Sequence, residues 1–192
     1  MLPDDLIRKV EFLKEIEKLK LVNRANKTLG GKRFENSAEH SWHIALMAIV
    51  LRDYYDGELD LLRVVKMLLI HDLVEIDAGD TWLYASDTSS KFEAEHNGAV
   101  RLFGMLPRDH EREFLSLWRE FEDRETPEAQ FASSIDGIQP LLNHLVTGDP
   151  ADGVLPLERV KAKKEYIKTH APRLWSLVEE LIQSSAEMGL YR

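Results

Sequence analysis

One stretch of this sequence leaves the chain little choice of architecture. Between positions 59 and 70, Leu59, Leu61, Leu62, Val64, Val65, Met67, Leu68, Leu69 and Ile70 are all apolar. Wound as a helix over about 59–77, they cover nearly every side, so the helix has to be central and buried. Its longest unbroken apolar run, Met67-Leu68-Leu69-Ile70, lies between Lys66 and His71 and falls far short of the roughly 20 residues that cross a bilayer. The burial has to come from other parts of the same fold.

The rest of the chain supplies helices to do this. Residues 4–21 place Leu6, Ile7, Val10, Leu13, Ile16 and Leu19 at spacings of one and three, an amphipathic helix. A loop follows around Gly30-Gly31. Asn36-Ser37-Ala38-Glu39 reads as a capping box that opens a helix to about Tyr54, and Asp56-Gly57 reads as a turn. Gly79 is a stop for the central helix. Ser90 with Glu93 is a second capping box, for a helix to about Gly104, and Pro107 is a break. Phe114, Leu115, Leu117, Trp118 and Phe121 mark the next helix. Thr126-Pro127, a cap followed by proline at the first helical position, opens one that runs through Leu145 and that Pro140 should kink or split. The turn-rich segment 147–156 leads to two last helices, divided near Ala171-Pro172. No strand, repeat or low-complexity tract is visible. The expectation is an all-α single domain over 1–192, with a core at about 20–145 and C-terminal helices at about 155–190.

At 192 residues, such a domain can bury roughly 70% of its unfolded surface without disulfides or a structural metal. The absence of cysteine excludes thiol catalysis, cysteine–zinc sites and iron–sulfur clusters. A net charge of −9 argues against nonspecific nucleic-acid binding. Asp4, Asp5 and the charges that continue through Lys20 do not make a targeting signal, so the cytoplasm is the expected location, with no membrane partner.

The informative chemistry is His71-Asp72, directly after four apolar residues. Ionisable groups in such a setting are costly unless paired or metal-bound. Neighbours on a helix point about 100° apart, so both can reach one ion, and Glu75 shares their face. The dipeptide by itself is equally compatible with a capped, solvated helix end. His40, in the first turn of the second helix, and Asp136, which interrupts the apolar face of the 127–145 helix, shift the balance. Two imidazoles and two carboxylates from three helices suit a hard-to-borderline divalent cation with positions left open for water.

The order His…His-Asp…Asp resembles the HD-domain metal-dependent phosphohydrolases. The segments ENSAEHSW, HDLVEIDAGDTW, LWREFEDRETPEAQFASSIDGIQPLLN and APRLWSLVEELI are similar to the branch that contains the bacterial 5′-deoxynucleotidases, over about residues 20–182. The resemblance implies a single HD-domain helical bundle. It implies one divalent metal ion (Mn, Co, Mg, Zn or Fe) on His40, His71, Asp72 and Asp136. Glu75 would orient or deprotonate the attacking water, Asp80 would line the site, and the protein would form a homodimer. Arg24 matches the phosphate-binding arginine of the family. Two departures bear on the substrate: the tryptophan that follows that arginine in the bacterial enzymes is Ala25 here, and Thr81-Trp82-Leu83-Tyr84 replaces the expected proline- and lysine-containing stretch.

The basic residues Lys18, Lys20, Arg24, Lys27, Lys32 and Arg33, with no acid between Glu17 and Glu35, support a phosphate ligand independently, although such a run is also an ordinary solvated face. The expected activity is hydrolysis of (deoxy)nucleoside 5′-monophosphates. A triphosphohydrolase or a phosphodiesterase uses the same chemistry, a two-iron oxygenase would need further histidines such as His96 and His110, and a regulatory module would keep the fold without catalysis. His43 is expected to be packed or to support a ligand. Trp118, Phe121 and Trp42 are expected in the core, and His144 and His170 at the surface. Trp82 is a candidate base contact.

Overall fold

The structure is a computed structural model in which residues 2–80, 91–149 and 154–192 are described. The readings that involve Trp82, the Ser90 cap and the middle of the turn-rich segment lie outside those residues. The chain begins with α1 (Asp4–Glu15), a 3₁₀ turn (Ile16–Leu21) and two short strands, β1 (Asn23–Lys27) and β2 (Phe34–Asn36). Next come α2 (Ser37–Val50) and α3 (Leu61–Ile70), a 3₁₀ segment (His71–Val74) and α4 (Glu75–Ala78). Then follow α5 (Lys91–Phe103), α6 (Arg108–Asp123) and α7 (Pro127–Thr147). The last elements are α8 (Leu157–Lys164), α9 (Ile167–His170) and α10 (Trp175–Glu187). The fold is all-α apart from the hairpin, in which β1 and β2 pair antiparallel.

The local signals behave as their chemistry requires. Asn36 accepts from the Glu39 backbone while Glu39 reaches back to Asn36, closing the capping box. Gly79 takes a φ of 74°, a conformation that only glycine adopts easily, and ends α4. Thr126 caps α7, with Pro127 in its first turn. α3 packs against α2, α6 and α7, and Val64, Met67 and Leu68 are wholly buried.

Several expectations need correction. The loop around Gly30-Gly31 is the turn of a β-hairpin; Asn23–Lys27 contains no β-branched or aromatic residue, which is why no strand was visible. The central helix is not buried on all sides, because Leu62, Lys66 and Leu69 face outward. It also does not run unbroken to residue 77, since it tightens to 3₁₀ geometry at His71. Pro140 does not split α7, although its missing N–H leaves the Asp136 carbonyl without its helical donor. The predicted apolar face of α1 is exposed at Leu6, Ile7, Val10 and Leu13; Phe12 is the residue of α1 that enters the core. Trp42, expected to pack, is 63% exposed. His144, expected at the surface, is buried. Trp118 and Phe121 do lie in the core.

Candidate metal centre and phosphate pocket

α2, the 3₁₀ segment after α3, and α7 bring His40, His71, Asp72 and Asp136 to one place. Donor atoms of His40, His71 and Asp72 all lie within 4.8 Å of one another. Asp136 Oδ1 is 2.9 Å from His40 Nε2 and 4.0 Å from His71 Nε2.

The imidazoles are oriented from behind. His40 Nδ1 is 3.1 Å from Gln139 Oε1, and His71 Nδ1 is 3.1 Å from the Leu68 carbonyl. Both of those partners accept only, so Nδ1 carries the proton in each ring and Nε2 points into the cluster. There His40 Nε2 meets Asp136, and His71 Nε2 lies 2.9 Å from Asp72 Oδ1. A ring lone pair facing a carboxylate oxygen at that distance is repulsive unless a proton or a cation lies between them. The donor set therefore fits a divalent cation. Gln139 is fixed in turn by donating to Glu35 Oε1 at 2.9 Å. Neither Gln139 nor Glu35 was singled out from the sequence; the one available hint is that Gln139 follows Asp136 by one helical turn.

Without the cation, burial and neighbouring charge together set the titration. Burial would lower the His71 imidazolium, but Asp72, with Asp136 and Glu75, outweighs it and holds its pKa up at about 9. Burial would raise both aspartates. His71 and Arg24 instead hold Asp72 well below the usual carboxylate range, and His40 does so for Asp136. Glu75 is pushed up to about 9 by burial and then by Asp72, while its Oε2 accepts a 2.6 Å hydrogen bond from Ser37 Oγ.

Arg24, on β1, reaches over the cluster. Its guanidinium donates to Asp72 Oδ2 at 3.0 Å and lies 3.8 Å from both Asp80 and Glu35. Four others of the basic run are paired at the surface: Lys18 with Glu15, Lys20 with Glu17, Lys27 with Asp149, and Arg33 with Glu39. The run as a whole is a solvated face, and Arg24 is its member in the site. Arg24, Ala25, His71, Asp72, Glu75, Asp80 and Asp136 line one cleft, partly open to solvent. Lys164, Arg124, Lys91 and His144 line it too, and none of them stood out in the sequence as a pocket residue. His43 sits behind this cluster, with Nδ1 3.5 Å from Gln139 Nε2. His96 packs against Phe92 and Trp118. Among the described residues, His40, His71 and Asp72 are the one group spaced to hold a metal.

The fold and this cluster define a family. The HD domain profile matches residues 16–175, and the chain belongs to the HD domain family. Its structure superposes on the crystal structure of a predicted metal-dependent phosphohydrolase from Magnetospirillum magnetotacticum MS-1. The TM-score is 0.93 at 38% identity, over 100% of this chain and 99% of that one. The 5′-deoxynucleotidase HDDC2 of Homo sapiens is 29% identical over 137 residues, which cover 69% of this chain and 65% of that protein. The Dictyostelium discoideum protein of the same name is 30% identical over 140 residues, covering 69% and 74% respectively. The match thus spans slightly less than two thirds of the human protein's length. No helix among the described residues is long and apolar enough to cross a membrane.

Proposed function

We propose that the protein is a metal-dependent phosphomonoesterase that hydrolyses (deoxy)nucleoside 5′-monophosphates to nucleoside and phosphate. The observation that carries this reading is the convergence of His40, His71, Asp72 and Asp136 at the base of a cleft that Arg24 overhangs. His40 and His71 through Nε2, with Asp72 and Asp136, would hold one divalent ion. When bound, that ion supplies Lewis acidity, acidifying water and offsetting charge on a phosphoryl oxygen. The names of the human and Dictyostelium relatives support a 5′-deoxynucleotide as the substrate.

The remaining work falls to this chain's own side chains. Glu75 is held by Ser37 through one carboxylate oxygen; a bound cation would offset the Asp72 charge that helps keep Glu75 protonated, freeing its other oxygen to take a proton from the attacking water. Arg24 is pinned by Asp72 and Asp80, so its remaining N–H groups are already aimed when the phosphate arrives. Water adds to phosphorus, the bond from phosphorus to the 5′-oxygen breaks, and that oxygen leaves with a proton as the nucleoside hydroxyl. We place the enzyme in the cytoplasm as a homodimer, acting on a small phosphate ester. The exposed apolar residues of α1 and α2, among them Leu13, Trp42, Ile49 and Val50, support the dimer.

The test is release of inorganic phosphate from a panel of phosphorylated metabolites, with Mn, Co, Mg, Zn or Fe added in turn. Turnover of nucleoside 5′-monophosphates is expected. Failure to hydrolyse any of them with any of these metals would overturn the proposal.

A further inference from the structure

The charge balance of the cleft points to a group outside the HD motif. A phosphate monoester brings two negative charges. With Asp72 and Asp136 on a divalent ion, the ion's own charge is already offset. Arg24 faces Asp72, Asp80 and Glu35 at 3.0–3.8 Å, so its charge is offset as well. Lys91 is paired with Glu95 at 3.3 Å. Lys164 is different. It comes from the end of α8, is only 3% exposed and lines the cleft, yet it makes no hydrogen bond or ion pair with any described residue.

The packing shows how it is held there. At Gly137, next to the ligand Asp136, an added Cβ would come within 2.3 Å of Tyr166 Oη, so the turn between α8 and α9 seats directly on α7. Tyr166 donates to the Ser133 carbonyl at 2.9 Å, and Arg124 lies over the Tyr166 ring at 5.3 Å, at the rim of the same cleft. This seat sets Lys164 where it feels both Asp136 and Arg24. Burial pushes its pKa down to about 8 against the pull of Asp136, so it remains protonated at neutral pH.

We propose that Lys164 is a second phosphate-gripping residue, supplying the net positive charge that Arg24, already ion-paired, does not. The assignment rests on the proposed phosphohydrolase reading for its ligand but not on any nucleotide. The experiment measures binding of inorganic phosphate to the full-length, Mn²⁺-loaded protein by calorimetry, for wild type and Lys164→Met, with metal content and melting temperature read in parallel. Loss of one charge-assisted contact predicts about 10- to 100-fold weaker phosphate binding with metal content unchanged. Because the ammonium has no partner in the free protein, the melting temperature should hold or rise, whereas a structural lysine would lower it. Should Lys164→Met fail to fold, Lys164→Gln gives the same readout. Phosphate affinity within about twofold of wild type in a folded variant would overturn the assignment, as would a wild-type protein that binds no phosphate. If wild type binds phosphate through Lys164 but cleaves no nucleotide, the substrate proposal fails and the Lys164 assignment stands.

Discussion

Gln139 offers the sharpest test of how the metal centre is built. It joins two buried groups that lie 99 and 104 positions before it in the sequence, accepting from His40 Nδ1 at 3.1 Å and donating to Glu35 Oε1 at 2.9 Å. His40 is fully buried and Glu35 is 6% exposed, so water cannot readily replace either bond. Gln139→Leu keeps the volume and removes both bonds. Each stranded polar group costs about 1–3 kcal/mol, so the variant should lose about 2–6 kcal/mol of stability. For a domain of this size that is a fall of roughly 5–20 °C in melting temperature. The His40 ring also loses what fixes its tautomer, which should weaken metal binding about 10- to 100-fold. Calorimetric metal titration and thermal melting read the two effects separately. The reciprocal swap, Glu35→Gln with Gln139→Glu, rebuilds the chain of bonds with the carboxylate one link nearer the histidine and should restore most of the metal affinity. A Leu variant that binds metal as tightly as wild type, and melts within about 2 °C of it, would show that the chain does not orient the ligand.

Further outcomes follow from the same geometry. Asp72→Ala should lose bound divalent metal and phosphatase activity together; full metal occupancy, measured by elemental analysis, would contradict its assignment as a ligand. Because Ala25 offers no flat surface to crowd a 2′-hydroxyl, discrimination between matched ribo- and deoxyribonucleotides, read as kcat/KM, should stay near or below the hundredfold that an apolar pocket achieves, and a stronger deoxy preference would refute this. His144 Nδ1 lies 2.7 Å from the Tyr191 hydroxyl and Nε2 lies 3.1 Å from Asn26 Oδ1, a neutral-ring arrangement. Burial, then Lys164, lowers its pKa to about 4, with Asp149 opposing. The unfolded chain therefore binds the extra proton first, and about 3 kcal/mol of stability should be lost as pH falls from 6.5 toward 4. His144→Gln should flatten that part of the melting-temperature profile. Light scattering at micromolar concentration should show a species of twice the 22.1 kDa chain mass, and a purely monomeric protein would remove the dimer.

The features legible in the sequence are those whose physics is complete within a few residues. Asn36 and Glu39 cap one another across a single turn, Gly79 accepts a backbone angle that other residues resist, and Thr126-Pro127 starts a helix by its own chemistry. His71-Asp72 stood out because two ionisable groups directly follow an apolar run, and Asp136 because it breaks an apolar helical face. Tertiary structure decided what depends on which surfaces meet. The apolar stripe of α1 and Trp42 of α2 have the periodicity of buried residues yet face outward, since periodicity marks a face and not its partner. The hairpin that carries Arg24 forms because residues 23–27 find Phe34–Asn36 beside them, despite weak strand propensity. Glu35 and Gln139 lie 104 positions apart, and Lys164 enters the cleft because Gly137 lets Tyr166 close against α7. No local pattern encodes such pairings: each group is unremarkable alone and becomes functional when burial removes water as its partner.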